Sequence, residues 1–532
     1  MVTGTGEVLQ GATVLIADGL IEAVGQGLEV PGDARVYEGA GLKLYPGMVD
    51  ALTQIGVKSD NGGNQQSSGG GGNPFQPSGP QIRGPEDRPR TTPWKSPADD
   101  LDAAAAAIES WREAGFTSAV VAPGDGFFPG QAAWINLGGG EADALVVATP
   151  IAQRIEFPTG GFGTYPGSLM GVLSYVRQVL EDADHHADAL AIYERSPAGR
   201  QRPGYDRTLE PLIAAREAAL PVLLRAVTGP QIDRALALGR RYELRTVLVG
   251  AHQAYRRLDR IAASGAPVIV SLEWPEEPKD RAPDAEDAFR DLAHRRLAPS
   301  TPRRLAEAGI PFAFTSGGLK NSGDVWKGVR AAIAAGLSEQ AALAALTTTP
   351  AELFGVADRV GTIEKGKIAN LVLATAAPWA EDAEIHHVFV DGHPYGDGAE
   401  EEEEDAEPPS VDVSGTWTLT MTTPGGEVEM TAELEQGEDG KVTGEIRSER
   451  GETTLKDGRV AANVLTFEVS QETPRGTMDA SYRAEVEGES LEGTLSAGPM
   501  SFEVAGARTS AAPAGGAGDG ESGDEAEVEV AD

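Results

Sequence analysis

Six polar side chains stand at or just past the ends of predicted strands: Thr53, Gln54, Arg225, His252, Ser316 and Lys320. They offer a permanent cation, a flexible cation, an imidazole, an amide and two hydroxyls. Gathered at one mouth, such a set could bind a small anionic or polar ligand. Plainer readings stand beside this one. Thr53 and Gln54 would satisfy loop backbone, Lys320 would be a solvated charge, and His252 would be a hydrogen-bonded histidine at a loop end. The same set is poor at holding a metal. Of 7 histidines, His386, His387 and His393 fall in a region of short strands, His185 and His186 read as a solvated helix end, and His294 lies in a helix or loop. Only His252 is well placed, and one imidazole does not hold zinc. The chain has no cysteine, which excludes disulfides, thiolate metal sites and cysteine nucleophiles. A nucleophilic Ser316 with His252 as base lacks support, since no Gly-x-Ser-x-Gly elbow occurs. Gly124-Asp125-Gly126 and Pro129-Gly130-Gln131 indicate a tight turn near the same face, without a phosphate-loop or dinucleotide fingerprint.

The elements that position these residues alternate short apolar strands with amphipathic helices from Pro46 to about Phe354. Expected strands are Gly47–Ile55, Thr117–Ala122, Pro221–Ala226, Thr246–Ala251, Pro267–Leu272 and Pro311–Thr315. Helices are expected at Asp99–Ala114, Pro230–Tyr242, Tyr255–Ser264, Pro302–Ala308, Asp324–Ala335 and Ala341–Phe354. The stretch from Gly124 to Leu220 is irregular. The repeat predicts an α/β fold, a (β/α)8 TIM-like barrel over residues 46–355. Residues 1–45 and 356–398 read as short strands with turns, including a hairpin signal at Ala17-Asp18-Gly19. Their pairing would make one small composite β-sandwich in which the barrel is inserted. Residues 411–509 are all β, with Gly415–Thr420, Val442–Ile446, Leu465–Val469 and Leu491–Leu495 spaced as in a small antiparallel barrel or sandwich.

With 532 residues and 40% hydrophobic content the chain can fill two or three cores. Its net charge is −38, a field that repels nucleic acid and anionic membrane and favours solubility. No apolar run approaches the roughly 20 residues a bilayer span needs. Residues 61–97, rich in Gly, Asn, Gln, Ser and Pro, follow the first barrel strand and are expected to form a flexible loop. Residues 399–410 form an acidic linker and 510–532 a disordered acidic tail.

Tyr45-Pro46-Gly47-Met48-Val49-Asp50-Ala51-Leu52-Thr53-Gln54 resembles the first barrel strand of the amidohydrolase superfamily, PG-[LFM]-[IV]-D-x-H-x-H. Thr347-Thr348-Thr349-Pro350-Ala351 and Gly361–Leu373 resemble later pieces of the same family, imidazolonepropionase-like in layout. The β domain resembles a lipocalin-like module. The resemblance implies hydrolysis of carbon–nitrogen bonds other than peptide bonds. It implies zinc or another divalent metal, held by strand-end histidines, with an aspartate as proton shuttle. At the matching positions this chain carries Leu52, Gln54, Arg225, Gly250 and Ser316. A hydrocarbon, an amide, a guanidinium, a bare backbone and an alcohol do not replace imidazoles and a carboxylate. No cofactor and no metal site are therefore expected. The expectation is a non-catalytic or ligand-binding member with a small polar or anionic ligand at the barrel mouth and a homo-oligomeric state. The alternative is an active hydrolase with a divergent, metal-free site, or one drawing oxygen ligands from Asp60, Glu86 and Asp87. A third reading places the function in the β module. No signal peptide is seen, so cytoplasmic residence is the default. Family members carry a further strand before this start, which reads as truncated, and an extracytoplasmic location stays open.

Overall fold

The structure, a computed structural model, describes residues 1–32, 34–57, 88–159, 165–277, 287–319, 321–396, 410–423, 426–437, 440–448, 451–473, 476–497 and 500–511. The chain divides into two compact units, 1–399 and 400–532.

In the first unit the opening strands are β1 (Ala12–Ala17), β2 (Leu20–Gln26) and β3 (Lys43–Pro46). Eight strands follow: β4 (Met48–Thr53), β5 (Phe116–Val121), β6 (Gly130–Asn136), β7 (Val146–Ile155), β8 (Val222–Ala226), β9 (Thr246–Gly250), β10 (Val268–Ser271) and β11 (Phe312–Thr315). The unit closes with β12 (Leu371–Ala374), β13 (Ile385–Val390) and β14 (His393–Gly396).

Strands β4 to β11 form one sheet in chain order. Their sequences are short unbroken apolar runs because both faces are covered. On one face Val49, Val120, Leu223, Val247, Ile269 and Ala313 share a cluster. Their neighbours Leu224, Leu248, Val270 and Phe314 join the other cluster together with helix residues such as Ile232 and Leu305. This alternation is the two-residue period of a strand expressed as two hydrophobic layers. The end strands lie side by side: the Thr315 hydroxyl donates to the Leu52 carbonyl, and the Ser316 N–H donates to the Asp50 carboxylate.

The expectation of eight parallel βα repeats needs correction at one strand. β6 runs antiparallel to both β5 and β7, while the remaining pairings are parallel. The connection over residues 122–129 is too short for a crossover helix, so the chain can only turn back on itself. The irregular stretch from Gly124 to Leu220 also contains β7, a long helix Leu169–Arg195 and a helix Leu209–Glu217. A second correction concerns 61–97. Residues 58–87 lie outside the described ones, but 88–97 are packed. Thr91 is buried and shares a hydrogen bond of 2.8 Å with the Tyr175 hydroxyl, and the Thr92 N–H donates to the Phe128 carbonyl. A loop-like composition averaged over the whole segment hid these few anchors. The single helix expected at Ala341–Phe354 is two, Glu339–Leu346 and Thr348–Phe354. They break at Thr347, with φ −138° and ψ −79°, whose hydroxyl donates to the Leu343 carbonyl. Pro350 sits in the first turn of the second helix, where its missing N–H costs nothing.

The two ends of the unit do pair. β3 lies antiparallel to β12, and β13 and β14 extend the sheet. The β1–β2 hairpin turns at Asp18 and Gly19, both with positive φ, as a two-residue hairpin turn requires. Leu20 bridges to Ile368. Ile21, Ile363, Ala369, Leu371 and Phe389 form the shared core of these strands.

Among its described residues the second unit has nine antiparallel strands, β15 (Gly415–Thr423), β16 (Gly426–Gln436), β17 (Lys441–Ser448), β18 (Gly451–Thr454), β19 (Lys456–Ala461), β20 (Val464–Thr473), β21 (Gly476–Glu487), β22 (Ser490–Ala497) and β23 (Met500–Ala511). Pairing of β16 with β17 closes eight of them into a barrel, with β18 attached beside β17. Among the described residues closure leaves no long open edge. Trp417, Leu419, Phe467, Tyr482 and Leu491 fill its core, and the Trp417 indole N–H is satisfied by the Val413 carbonyl at 2.8 Å. The last strand reaches Ala511, two residues into the expected tail. The rest of the tail, and all but Ser410 of the linker from 399, lie outside the described residues.

Candidate functional site

The C-terminal ends of the parallel strands surround a cavity of about 1340 Å3. Leu52, Thr53, Gln54, Arg225, Gly250 and His252 all line it, with Ser271, Glu273, Trp274 and Thr315. A side cavity of about 360 Å3 shares Gln54, Arg154 and Arg225 with it. Six of the residues singled out in the sequence are thus brought together. Ser316 is a correction: it is buried and turned inward, its N–H and hydroxyl both engaged by Asp50. Residue parity explains this, because Thr315 and Gly317 take the cavity side of the strand end. Lys320 lies outside the described residues.

Strand periodicity also fixes Arg225. It stands two residues beyond Leu223, a member of the inner layer, so its side chain continues that layer towards the mouth. Leu224 and Ala226 on either side are buried whereas Arg225 is exposed. Among the described residues no carboxylate or hydrogen-bond acceptor pairs with it. Gly250 has φ +90°, and a Cβ there would lie 3.0 Å from a Val227 methyl; the backbone turns at this point and presents no side chain to the cavity.

His252 is held by a contact of 3.1 Å between its Nε2 and the Ser271 carbonyl. A carbonyl only accepts, so Nε2 carries the proton and Nδ1 keeps its lone pair. Burial, joined by the nearby His294 and Arg225 and opposed by the Ser271 hydrogen bond, brings the imidazole pKa down from 6.5 to about 4. The ring is neutral at pH 7. NMR titration of the imidazole signals should place its midpoint near pH 4; a midpoint near 6.5 would refute the buried, neutral assignment. Its folded value lies below its unfolded value, so its contribution to stability is present above pH 6.5 and is lost as pH falls towards 4. Trp274 lies beside it, ring centroids 5.6 Å apart, with the indole N–H fixed on the Gly328 carbonyl.

Two features were not found from sequence. Asp50 is 1% exposed and accepts from the Leu52 and Ser316 N–H groups, each at 3.2 Å. Burial raises its pKa from 3.8 to about 6, although those hydrogen bonds and the Ser316 and Thr315 hydroxyls pull it down. The signal was a carboxylate inside an otherwise apolar strand. The second is Arg154, whose Nε and Nη2 meet Glu156 Oε1 at 2.9 and 2.7 Å and whose Nη1 donates to the Pro123 carbonyl at 3.0 Å. It anchors the turn that holds Gly124 against Gln54: a Cβ on Gly124 would lie 2.2 Å from the Gln54 amide nitrogen.

The donor set does not fit a catalytic dication. Leu52 and Gly250 offer no side-chain lone pair, Arg225 repels a cation, and Ser316 is spent on Asp50. Among the described residues no three of His, Asp or Glu gather as a metal site requires.

Residues 271–395 match the model of the amidohydrolase family. The chain is 24% identical over 413 residues to amidohydrolase tasK of Hapsidospora irregularis, covering 71% of this chain and 39% of that protein. It therefore spans well under half of the length of this relative. An amidohydrolase from Thermotoga maritima MSB8 has a similar fold, with a TM-score of 0.58 at 22% identity over 72% of this chain and 94% of that one. The fold class is that of α/β amidohydrolases with a parallel-rich sheet. Over residues 271–395, and in its fold, the chain is similar to the amidohydrolase family.

Proposed function

We propose that this protein is a non-catalytic, ligand-binding member of the amidohydrolase family whose barrel mouth takes a small polar or anionic molecule. Arg225 carries the reading. It projects a permanent charge into the cavity at a position where the family resemblance calls for a metal-binding histidine, and no described residue neutralises it. A guanidinium without an internal partner, in a partly enclosed site, gains most from an external anion, because charge-assisted hydrogen bonds strengthen as water is excluded. Gln54 and Thr53 supply polar contacts beside it, and Trp274 with Leu52 supplies apolar surface for the body of the ligand. The inherited class, hydrolysis of non-peptide carbon–nitrogen bonds in an imidazolonepropionase-like layout, would then be a relic of the fold. The alternative, a metal-free hydrolase, would need a base near neutrality and a free nucleophile. His252, with its pKa near 4, and the inward Ser316 argue against that pair. The C-terminal barrel, lipocalin-like in this reading, is a separate module with an aromatic-filled interior.

Calorimetric titration with benzoate at low salt tests the proposal. Binding to the wild-type chain should weaken about tenfold or more in Arg225→Ala, the loss of one charge-assisted contact. Equal affinity in the two proteins would refute the assignment of Arg225.

A further inference from the structure

We infer that the ligand of this mouth carries a compact dianionic group, seated in the side cavity between Arg225 and Arg234. The inference rests on the reading of the mouth as a ligand site and names the chemistry that site selects. Four arginines line the side cavity, Arg90, Arg154, Arg225 and Arg234, against two acids, Asp125 and Glu156. Both acids are committed. Asp125 pairs with Arg90, and Glu156 pairs with the buried Arg154. Two positive charges, Arg225 and Arg234, remain without a carboxylate among the described residues. This happens in a chain whose net charge is −38, so a locally positive cavity opposes the general trend of the surface.

A monoanion would neutralise one guanidinium and leave the other without a counter-charge, whereas a dianion can pair with both. Planar guanidinium forks suit phosphate and carboxylate oxygens alike, and the Gln54 amide, which lines both cavities, adds a neutral donor. The larger cavity continues from Gln54 and Arg225 and has room for the remainder of the molecule. The surrounding negative field selects against polyanions such as nucleic acid, because only a small molecule can keep its charge inside the positive pocket.

The test compares three probes of similar body at pH 8: benzoate, a monoanion; phthalate, a dicarboxylate; and phenyl phosphate, dianionic because its second pKa lies near about 6. Calorimetry on the full chain should show at least one dianion binding about tenfold or more tighter than benzoate. The tighter of the two assigns the head group as dicarboxylate or phosphate monoester. In Arg234→Gln the ratio should collapse towards one, with the melting temperature showing that the variant is folded. Benzoate binding as tightly as both dianions, or an unchanged ratio in Arg234→Gln, would overturn the dianion inference and leave the ligand-binding mouth standing. Failure of all three probes to bind the wild-type chain would overturn the mouth reading and this inference with it.

Discussion

Asp50→Ala should destabilise the first unit by about 2–5 kcal/mol, because it leaves the Leu52 and Ser316 N–H groups buried without an acceptor. These bonds lie where the two end strands of the sheet meet, so the loss opens the seam below the candidate site. Asp50→Asn keeps an acceptor oxygen and removes the charge. It should unfold close to the wild type at pH 7 in urea, and its dependence on pH should differ. The Asp50 carboxyl takes up its proton more readily in the folded state, at about 6 against 3.8. Its contribution is therefore largest in acid and falls as pH rises from about 4 to 6, by about 3 kcal/mol in total, and is flat above. His252 works in the opposite direction over nearly the same window. In the wild type the two slopes largely cancel. Asp50→Asn should expose the His252 slope, losing stability on acidification from pH 6.5 to 4 faster than the wild type does. Superimposable pH profiles of the two proteins would show that the buried carboxyl does not titrate as described.

Arg154→Met should cost about 3–5 kcal/mol, since it strands Glu156 as an uncompensated buried charge. It also frees the Pro123 carbonyl and with it the turn that packs Gly124 against Gln54. The double variant Arg154→Met/Glu156→Leu should recover much of the loss, because the apolar pair has no ion to desolvate. Urea unfolding of the two single variants and the double gives the coupling directly. A single Arg154→Met variant within about 1 kcal/mol of the wild type would mean that the pair is solvated rather than buried.

The sequence carried more of the fold than of the site. Strands such as Thr246–Gly250 and Phe312–Thr315 could be read because a buried parallel strand is a short apolar block, and the helix Gly229–Arg241 because its apolar residues recur on one face and Pro230 marks its start. The reversal of β6 was not legible: Gly130–Asn136 is as apolar as a parallel strand, and only the shortness of the turn before it betrays its direction. The strand pattern placed Arg225, His252, Leu52 and Gln54 at strand ends, and all four line one cavity. It did not give the rotation of Ser316, which depends on a hydrogen bond to Asp50 some 266 positions away. Nor did it give Arg234, a helix residue that reads as an ordinary solvated charge until the cavity beside it is seen.

We propose that this barrel mouth carries an anion-binding set at the positions where the amidohydrolase family carries a metal-binding one. Metal analysis of the full chain after incubation with excess zinc and desalting tests it most directly. The account predicts zinc far below one equivalent, with benzoate affinity unaffected by a chelator. One tightly held equivalent of zinc, lost together with a hydrolytic activity on chelation, would contradict it.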